Sequence, residues 1–299
     1  MIWHCGDFRL DLNKTRVMAI VNVTPDSFSD GGRYFRPEEA AARARNCLAE
    51  GADILDLGGE STRPGATPLE WKDEWSRLEP VLALMNGWKR KALISIDTYH
   101  PETAERALAA GASVINCVYP DPVPAMADLA RKTGCGLVIP VKAIKGFKGL
   151  NGFNSRKDLN GFNGLKGLND LKSLKGFEGF EGLEGQVLID PMIGFDTTRE
   201  EDLARMGAIR RLAQIAPVLV GVSRKRLIKK LTGEKCTGKN LGGSVGAAVW
   251  CAMAGASVVR VHDVRETVQA LAVVNALAAA EQSPRQAADA PTTEQEVFA

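Results

Sequence analysis

Eight short apolar runs punctuate the chain: VMAIVN (17–22), DILDLGG (53–59), ALISID (92–97), SVINCV (113–118), GLVIPV (136–141), VLID (187–190), VLVGVS (218–223) and SVVRVH (257–262). Each has the length and composition of a buried strand. Between most of them lie Ala-rich helical patterns such as EEAAARARNCLAEGA, PETAERALAAGA and EDLARMGAIRRLAQIA, several closed by the Gly expected just past a helix C-terminus. Repeated strand-then-helix units imply a parallel sheet, because parallel neighbours are joined through crossovers, and those are right-handed. Eight units suffice to close a (β/α)₈ TIM barrel, which typically takes ~250 residues. The expected class is therefore α/β with that barrel over residues 1–281; an open doubly wound sheet is the other architecture the alternation permits.

In either architecture ligands bind at the carboxyl ends of the strands, where the strand-to-helix loops gather. Polar residues fall at those ends: Asn22, Asp56, Asp97, Asn116, Asp190, Ser223 with Lys225, and Arg260 with His262. One such residue is ordinarily a turn former or a helix cap. Their recurrence along the chain points to a common ligand face. Asp56 reads equally well as a strand end that supports the neighbouring loop.

One stretch breaks the pattern. Residues 145–185 run in triplets such as GFK, GLN and GLE, with Leu or Phe at every third position. That period drifts around a 3.6-residue helix, and each interior Gly costs ~1 kcal/mol relative to Ala. The tract is expected to be a mobile, partly helical replacement for the fifth crossover. Residues 282–299, polar and containing proline, are expected to form a disordered tail.

Bulk properties exclude several classes. The formal charge is +2, with no long block of either sign, so neither nucleic acid nor an anionic lipid surface is implied as a partner. No apolar run reaches the ~18 residues that span a bilayer, and the start MIWHCGDFRL has no signal-peptide pattern, so a soluble, cytoplasmic protein is expected. The six cysteines contain no CxxC pair and read as reduced core thiols. Three histidines, His4, His100 and His262, are too few and too dispersed for the usual zinc constellations.

Two loops stand out. NVTPDSFSDGGRYF, after the first strand, is long and carries Asp26, Phe28 and Phe35, the composition of a lid over a ligand face. GGESTRPGATP, after the second, offers Gly58 and Gly59 for close backbone approach and Thr62 and Arg63 to an anion. Buried carboxylates need donors or a cation, and the fused ring of a 2-amino-4-oxo heterocycle presents adjacent N–H groups that one carboxylate can accept. Arg63, Arg260 and His262, with Asn22 nearby, suit an anionic leaving group. Asp97, Asn116 and Asp190, with Lys225, suit the heterocycle.

These segments resemble dihydropteroate synthases. The motifs are NVTPDSFSDGG, DLGGESTRPGA, SIDTY, VIN, LIDPMIGF, GVSRK and RVHDV, in that order over almost the whole chain. The resemblance implies a pterin-binding TIM barrel, usually a homodimer. It also implies the reaction: 6-hydroxymethyl-7,8-dihydropterin pyrophosphate condenses with p-aminobenzoate, with Mg²⁺, releasing pyrophosphate. By the same resemblance Asp97, Asn116 and Asp190 hold the pterin edge, Lys225 reaches its carbonyl and ring nitrogen, and Arg260 flanks the ring while facing the diphosphate. Asn22, Thr62, Arg63 and His262 bind the diphosphate, Asn22 helping with Mg²⁺. Phe28, Pro64 and Ser223 shape the arylamine pocket, and Asp26 stabilises positive charge on the pterin methylene.

Three positions depart from the family pattern. Cys117 stands where Asp is usual, IPVKAI (139–144) where a Met-His-Met run ends strand five, and Asp196–Thr198 where Gly-Lys-Thr follows GF. All three flank the triplet tract, so one side of the mouth is expected to have diverged. A pterin-dependent methyltransferase and a non-catalytic pterin-binding paralogue are the alternative functions.

Overall fold

The computed structural model describes residues 1–24, 36–60, 67–88, 92–144, 179–234, 236 and 239–282. Eight strands lie in one parallel sheet: β3 (Arg16–Asn22), β4 (Ile54–Gly58), β5 (Leu93–Asp97), β6 (Val114–Asn116), β7 (Gly136–Pro140), β8 (Val187–Asp190), β9 (Leu219–Gly221) and β10 (Val258–Val261). Their order is β8-β7-β6-β5-β4-β3-β10-β9. A parallel bridge from Ile189 to Val218 joins the two ends. The sheet therefore closes into a barrel, and each of the eight apolar runs supplies one stave.

Eight helices accompany the strands: α1 (Pro37–Ala49), α2 (Trp71–Leu84), α3 (Pro101–Ala109), α4 (Val123–Thr133), α5 (Arg199–Leu212), α6 (Arg226–Thr232), α7 (Leu241–Met253) and α8 (Val264–Gln282). Proline opens α1 and α3, where a missing N–H costs nothing, and Gly134 in the left-handed region (φ +74°) ends α4. The β7–β8 connection carries only a short 3₁₀ turn, Val141–Ala143, among its described residues. Most of the triplet tract, 145–178, lies outside the described residues. Its last residues do not hang free: Phe180 and Leu183 are buried against the core, and Arg131 of α4 donates to the carbonyls of Gly179 and Glu181. α8 includes Gln282, the first residue expected in the tail, and 283–299 lie outside the described residues.

Strand side chains alternate between the two faces of the sheet, so the barrel has two apolar layers. One lies between staves and helices and includes Val17, Leu55, Ile94, Ile115, Leu137, Ile189, Val220 and Val259. The other lies inside the barrel, with one residue from each stave: Met18, Ile54, Leu93, Val114, Val138, Leu188, Leu219 and Val258.

A feature absent from the sequence reading seals the interior floor. β1 (Ile2–Cys5) and β2 (Phe8–Asp11) form an antiparallel hairpin whose Trp3, Cys5 and Leu12 join that inner layer. Trp3 is 1% exposed, and its Nε1 donates to the Gln186 carbonyl at 2.7 Å. The hairpin fits because β7 begins with glycine: a Cβ on Gly136 would stand 2.7 Å from Cys5 Sγ and 2.9 Å from the Trp3 ring. All six cysteines are free thiols; Cys236 is exposed, which corrects the expectation that all are core residues. No helix among the described residues is long and apolar enough to cross a membrane.

Candidate active site

The floor residues predict where chemistry can sit. Two residues further along each stave the side chain again points inward, one layer closer to the carboxyl ends. From Ile54, Leu93, Val114, Leu188 and Val258 that step leads to Asp56, Ser95, Asn116, Asp190 and Arg260; two more residues lead to Asp97 and His262. A ring of acids, amide and cation thus stands directly on an apolar floor. The register places Asp56 beside Ser95, Asp97 beside both Gly58 and Asn116, and Asn22 beside Gly58.

Arg260 is the hub. Its Nε donates to Asp56 Oδ2 at 2.6 Å and its Nη2 to Asp97 Oδ2 at 2.5 Å. Asn116 Nδ2 donates to the same Asp56 oxygen at 3.1 Å, which fixes the Asn116 amide with its carbonyl side turned away. Asp56 Oδ1 and Asn116 Oδ1 are then buried acceptors without a hydrogen-bond partner, as is Ser95 Oγ. Orphaned buried acceptors are costly, so the ring is arranged for a ligand rich in N–H donors. Burial pushes the Asp97 carboxyl up from its ordinary value, while the Arg260 guanidinium pulls against that rise. Burial works against the Arg260 cation too, but Asp56 and Asp97 outweigh it and hold its pKa above the usual guanidinium value.

Lys225 enters the ring from the turn after β9. Its Nζ donates to the Ile193 carbonyl and lies 4.4 Å from the Phe195 ring centroid. Gly194, at φ +80°, leaves room for the stem, since a Cβ there would stand 2.8 Å from Lys225 Cδ. Burial lowers the Lys225 pKa to about 8, with Asp190 holding it up. Asp190, in turn, is raised by burial and restrained by Lys225 and by the Met192 N–H, which donates at 2.7 Å. The turns that bring these groups in are strained: Met192, Asp196 and Arg224 all have positive φ (64°, 48° and 59°). Strain of this kind persists only where the surroundings enforce it, and it gathers at functional sites. For Arg224 the enforcement is an ion pair with Asp263 and a hydrogen bond from its N–H to Ser244 Oγ at 3.1 Å.

Ser223 and His262, from the ends of β9 and β10, meet directly. Ser223 Oγ lies 3.2 Å from His262 Nδ1 and accepts from the His262 N–H at 3.3 Å. Of the residues expected at the site, Asn22, Asp97, Asn116, Asp190, Ser223, Lys225, Arg260 and His262 all belong to this one end of the barrel. Asp26, Phe28, Thr62, Arg63 and Pro64 lie outside the described residues.

The three departures leave the ring intact. Cys117 follows Asn116 and so points outward, its Sγ donating to the Tyr119 carbonyl at 3.2 Å. In 139–144, Ile139 and Val141 belong to the outer apolar layer. Asp196–Thr198 supplies the start of α5: Thr198 and Glu201 form a capping box, and Thr197 Oγ1 donates to Asp202 at 2.5 Å. That sequence is a well-formed helix entrance. Sequence reasoning undervalued Asp56, which is fully buried and held by Arg260. Its inward parity relative to Ile54 was the available signal.

The chain matches the model of the family described as "Pterin binding enzyme" over residues 18–262. It is 39% identical over 283 residues to the dihydropteroate synthase of Neisseria meningitidis serogroup B, covering 92% of this chain and 97% of that protein. It superposes on Xanthomonas albilineans dihydropteroate synthase with 4-aminobenzoic acid at a TM-score of 0.75 and 36% identity, covering 93% of this chain and 98% of that one. A Burkholderia cenocepacia dihydropteroate synthase complexed with 7,8-dihydropteroate gives a TM-score of 0.75 at 31% identity, covering 94% and 97%. With an inward ring suited to a donor-rich heterocycle and matches of this extent, the chain belongs to the dihydropteroate synthase family of pterin-binding enzymes.

Proposed function

We propose that the protein is a transferase that makes 7,8-dihydropteroate and pyrophosphate from 6-hydroxymethyl-7,8-dihydropterin pyrophosphate and p-aminobenzoate. The observation that carries this reading is the pair of orphaned acceptors, Asp56 Oδ1 and Asn116 Oδ1, in a ring that also holds Asp97, Asp190 and Lys225. The pterin's amino and ring N–H groups match those acceptors, and Lys225 is the donor for its carbonyl.

The reaction breaks the bond between the pterin methylene and the diphosphate oxygen and forms one from that carbon to the arylamine nitrogen, which then loses a proton. An arylamine is neutral and nucleophilic near pH 7, so no strong general base is needed. The barrier is departure of the diphosphate. Arg260 and His262 face the growing negative charge, with Thr62 and Arg63 assigned to the same task, while the electron-rich pterin spreads positive charge from its methylene. Asp26 is assigned to stabilise that charge, and Phe28, Pro64 and Ser223 to position the arylamine.

Mg²⁺ fits the residues present as an ion carried largely by the substrate. Asn22 offers a neutral, hard oxygen at a stave end beside Gly58, and among the described residues no three His, Cys, Asp or Glu side chains form a metal cage. Mg²⁺ typically takes one or two protein oxygens together with phosphates and retained waters. When bound, it neutralises charge on the diphosphate.

A homodimer is supported by exposed apolar side chains on adjacent helices, Trp250 and Met253 of α7 with Val273 and Leu277 of α8. A reducing, cytoplasmic setting is supported by the free thiols. The test of the function is Mg²⁺-dependent formation of dihydropteroate by the purified protein, with rescue of a synthase-deficient strain. Absence of product from both substrates refutes the reading.

A further inference from the structure

The reaction as described makes no use of a cluster of polar side chains at the mouth. Glu60 and Leu69 flank the segment that carries Thr62, Arg63 and Pro64, and both are gripped by the turn after β5. Glu60 Oε1 accepts from Tyr99 Oη at 2.9 Å and from the Leu69 N–H at 3.3 Å. His100 Nε2 lies 3.0 Å from the Leu69 carbonyl, which can only accept, so that nitrogen carries a proton. The same nitrogen is 3.8 Å from Glu60 Oε2, a buried oxygen with no hydrogen-bond partner. The Tyr99 and His100 rings pack at 4.2 Å, and Tyr119 meets Tyr99 edge-on at 5.0 Å.

The cluster rests on fixed structure. Thr98 Oγ1 donates to buried Glu74 at 2.7 Å and accepts from the His100 N–H at 3.1 Å. Arg77 donates to the Gly59 carbonyl at 2.9 Å, just before Glu60. Both flanks of one loop are thus tied to each other and to a third element beside Asp97. Tying the ends of a loop removes conformations it would otherwise sample, which lowers the ordering cost of any ligand that the loop must grip.

We propose that Tyr99 and His100 are positioning residues: they clasp the flanks of the second loop so that Thr62 and Arg63 are presented to the diphosphate. The proposal rests on the dihydropteroate synthase reading and deepens it by separating two parts of the pterin substrate. The ring in the barrel interior holds the heterocycle. The clasp serves only the diphosphate.

The experiment is calorimetry on the full chain with two ligands, 6-hydroxymethyl-7,8-dihydropterin and its pyrophosphate ester with Mg²⁺. Tyr99→Phe and His100→Ala are expected to weaken the ester about tenfold, the scale of one hydrogen bond involving a charged group, and to leave the alcohol within about twofold. His100→Gln, whose amide can still donate to the Leu69 carbonyl, restores most of the loss. Melting temperatures guard against unfolding; should His100→Ala lose the fold, Tyr99→Phe, smaller by one oxygen, carries the comparison. Equal weakening of both ligands, or a folded Tyr99→Phe protein with full affinity for the ester, overturns the proposal. If the wild type binds neither pterin, the functional reading falls first and the clasp with it.

Discussion

Arg260→Leu removes the hub of the ring while keeping apolar bulk above the floor. The structure sets the cost. Arg260 bonds to Asp56 at 2.6 Å and to Asp97 at 2.5 Å, and the Asp56 side chain is 0% exposed, so the variant leaves buried carboxylates with no cation between them. Breaking a buried pair from one side costs about 3–5 kcal/mol, which at about 2–4 °C per kcal/mol for a domain of this size lowers the melting temperature by about 6–20 °C. The sign with pH follows from Asp97. Burial already raises its folded pKa, and without the guanidinium it rises further above the unfolded value of about 3.9. The folded variant then binds more protons than the unfolded chain between those pKa values, so it loses stability as pH rises through that window. The gap to wild type is therefore small near pH 4 and fully open above neutrality. Adding Asp97→Asn to Arg260→Leu should recover part of the loss, a coupling that thermal melts of the four proteins measure directly. Turnover should fall by about 10²–10³, since a charge-stabilising donor is gone. A variant as stable as wild type at pH 8, or a gap that does not change with pH, would refute the assignment of Arg260 as the cation that the ring is built around.

Trp3→Ala should cost about 3–5 kcal/mol by opening the floor, while turnover per folded molecule persists; chemical denaturation and initial rates test both halves. Lys225 has a folded pKa of about 8 against an ordinary 10.5, so the unfolded chain binds more protons between those values. The stability of wild type relative to Lys225→Met should therefore rise with pH across that window, and a flat difference would contradict the burial of this amine. A sulfonamide, shaped like p-aminobenzoate, should raise the apparent KM for that substrate and leave the extrapolated maximal rate unchanged; an unaltered rate under saturating sulfonamide counts against the arylamine pocket.

The staves were legible because parallel strands covered on both faces read as apolar runs, and their polar last residues stood out against that background. The hairpin β1–β2 was not, since its strands have four residues each and bury only Trp3 and Cys5 between them. Its role appears only once Gly136 is seen to lack the side chain that would exclude Trp3. Asp56 was visible as a strand end, but its importance depends on Arg260, 204 residues further along the chain, and no local pattern carries that pairing. The departures at Cys117 and Asp196–Thr198 looked like erosion of the site for the converse reason. Similarity to a motif does not say which side chains point inward, whereas alternation along β6 and the helix cap at α5 do.

The most direct test of the account is a crystal structure with 6-hydroxymethyl-7,8-dihydropterin bound. The ligand should lie inside the barrel above Met18 and Leu93, its N–H groups within hydrogen-bond distance of Asp56, Asp97, Asn116 or Asp190 and its carbonyl facing Lys225. A pterin that binds tightly anywhere else on the molecule would contradict it.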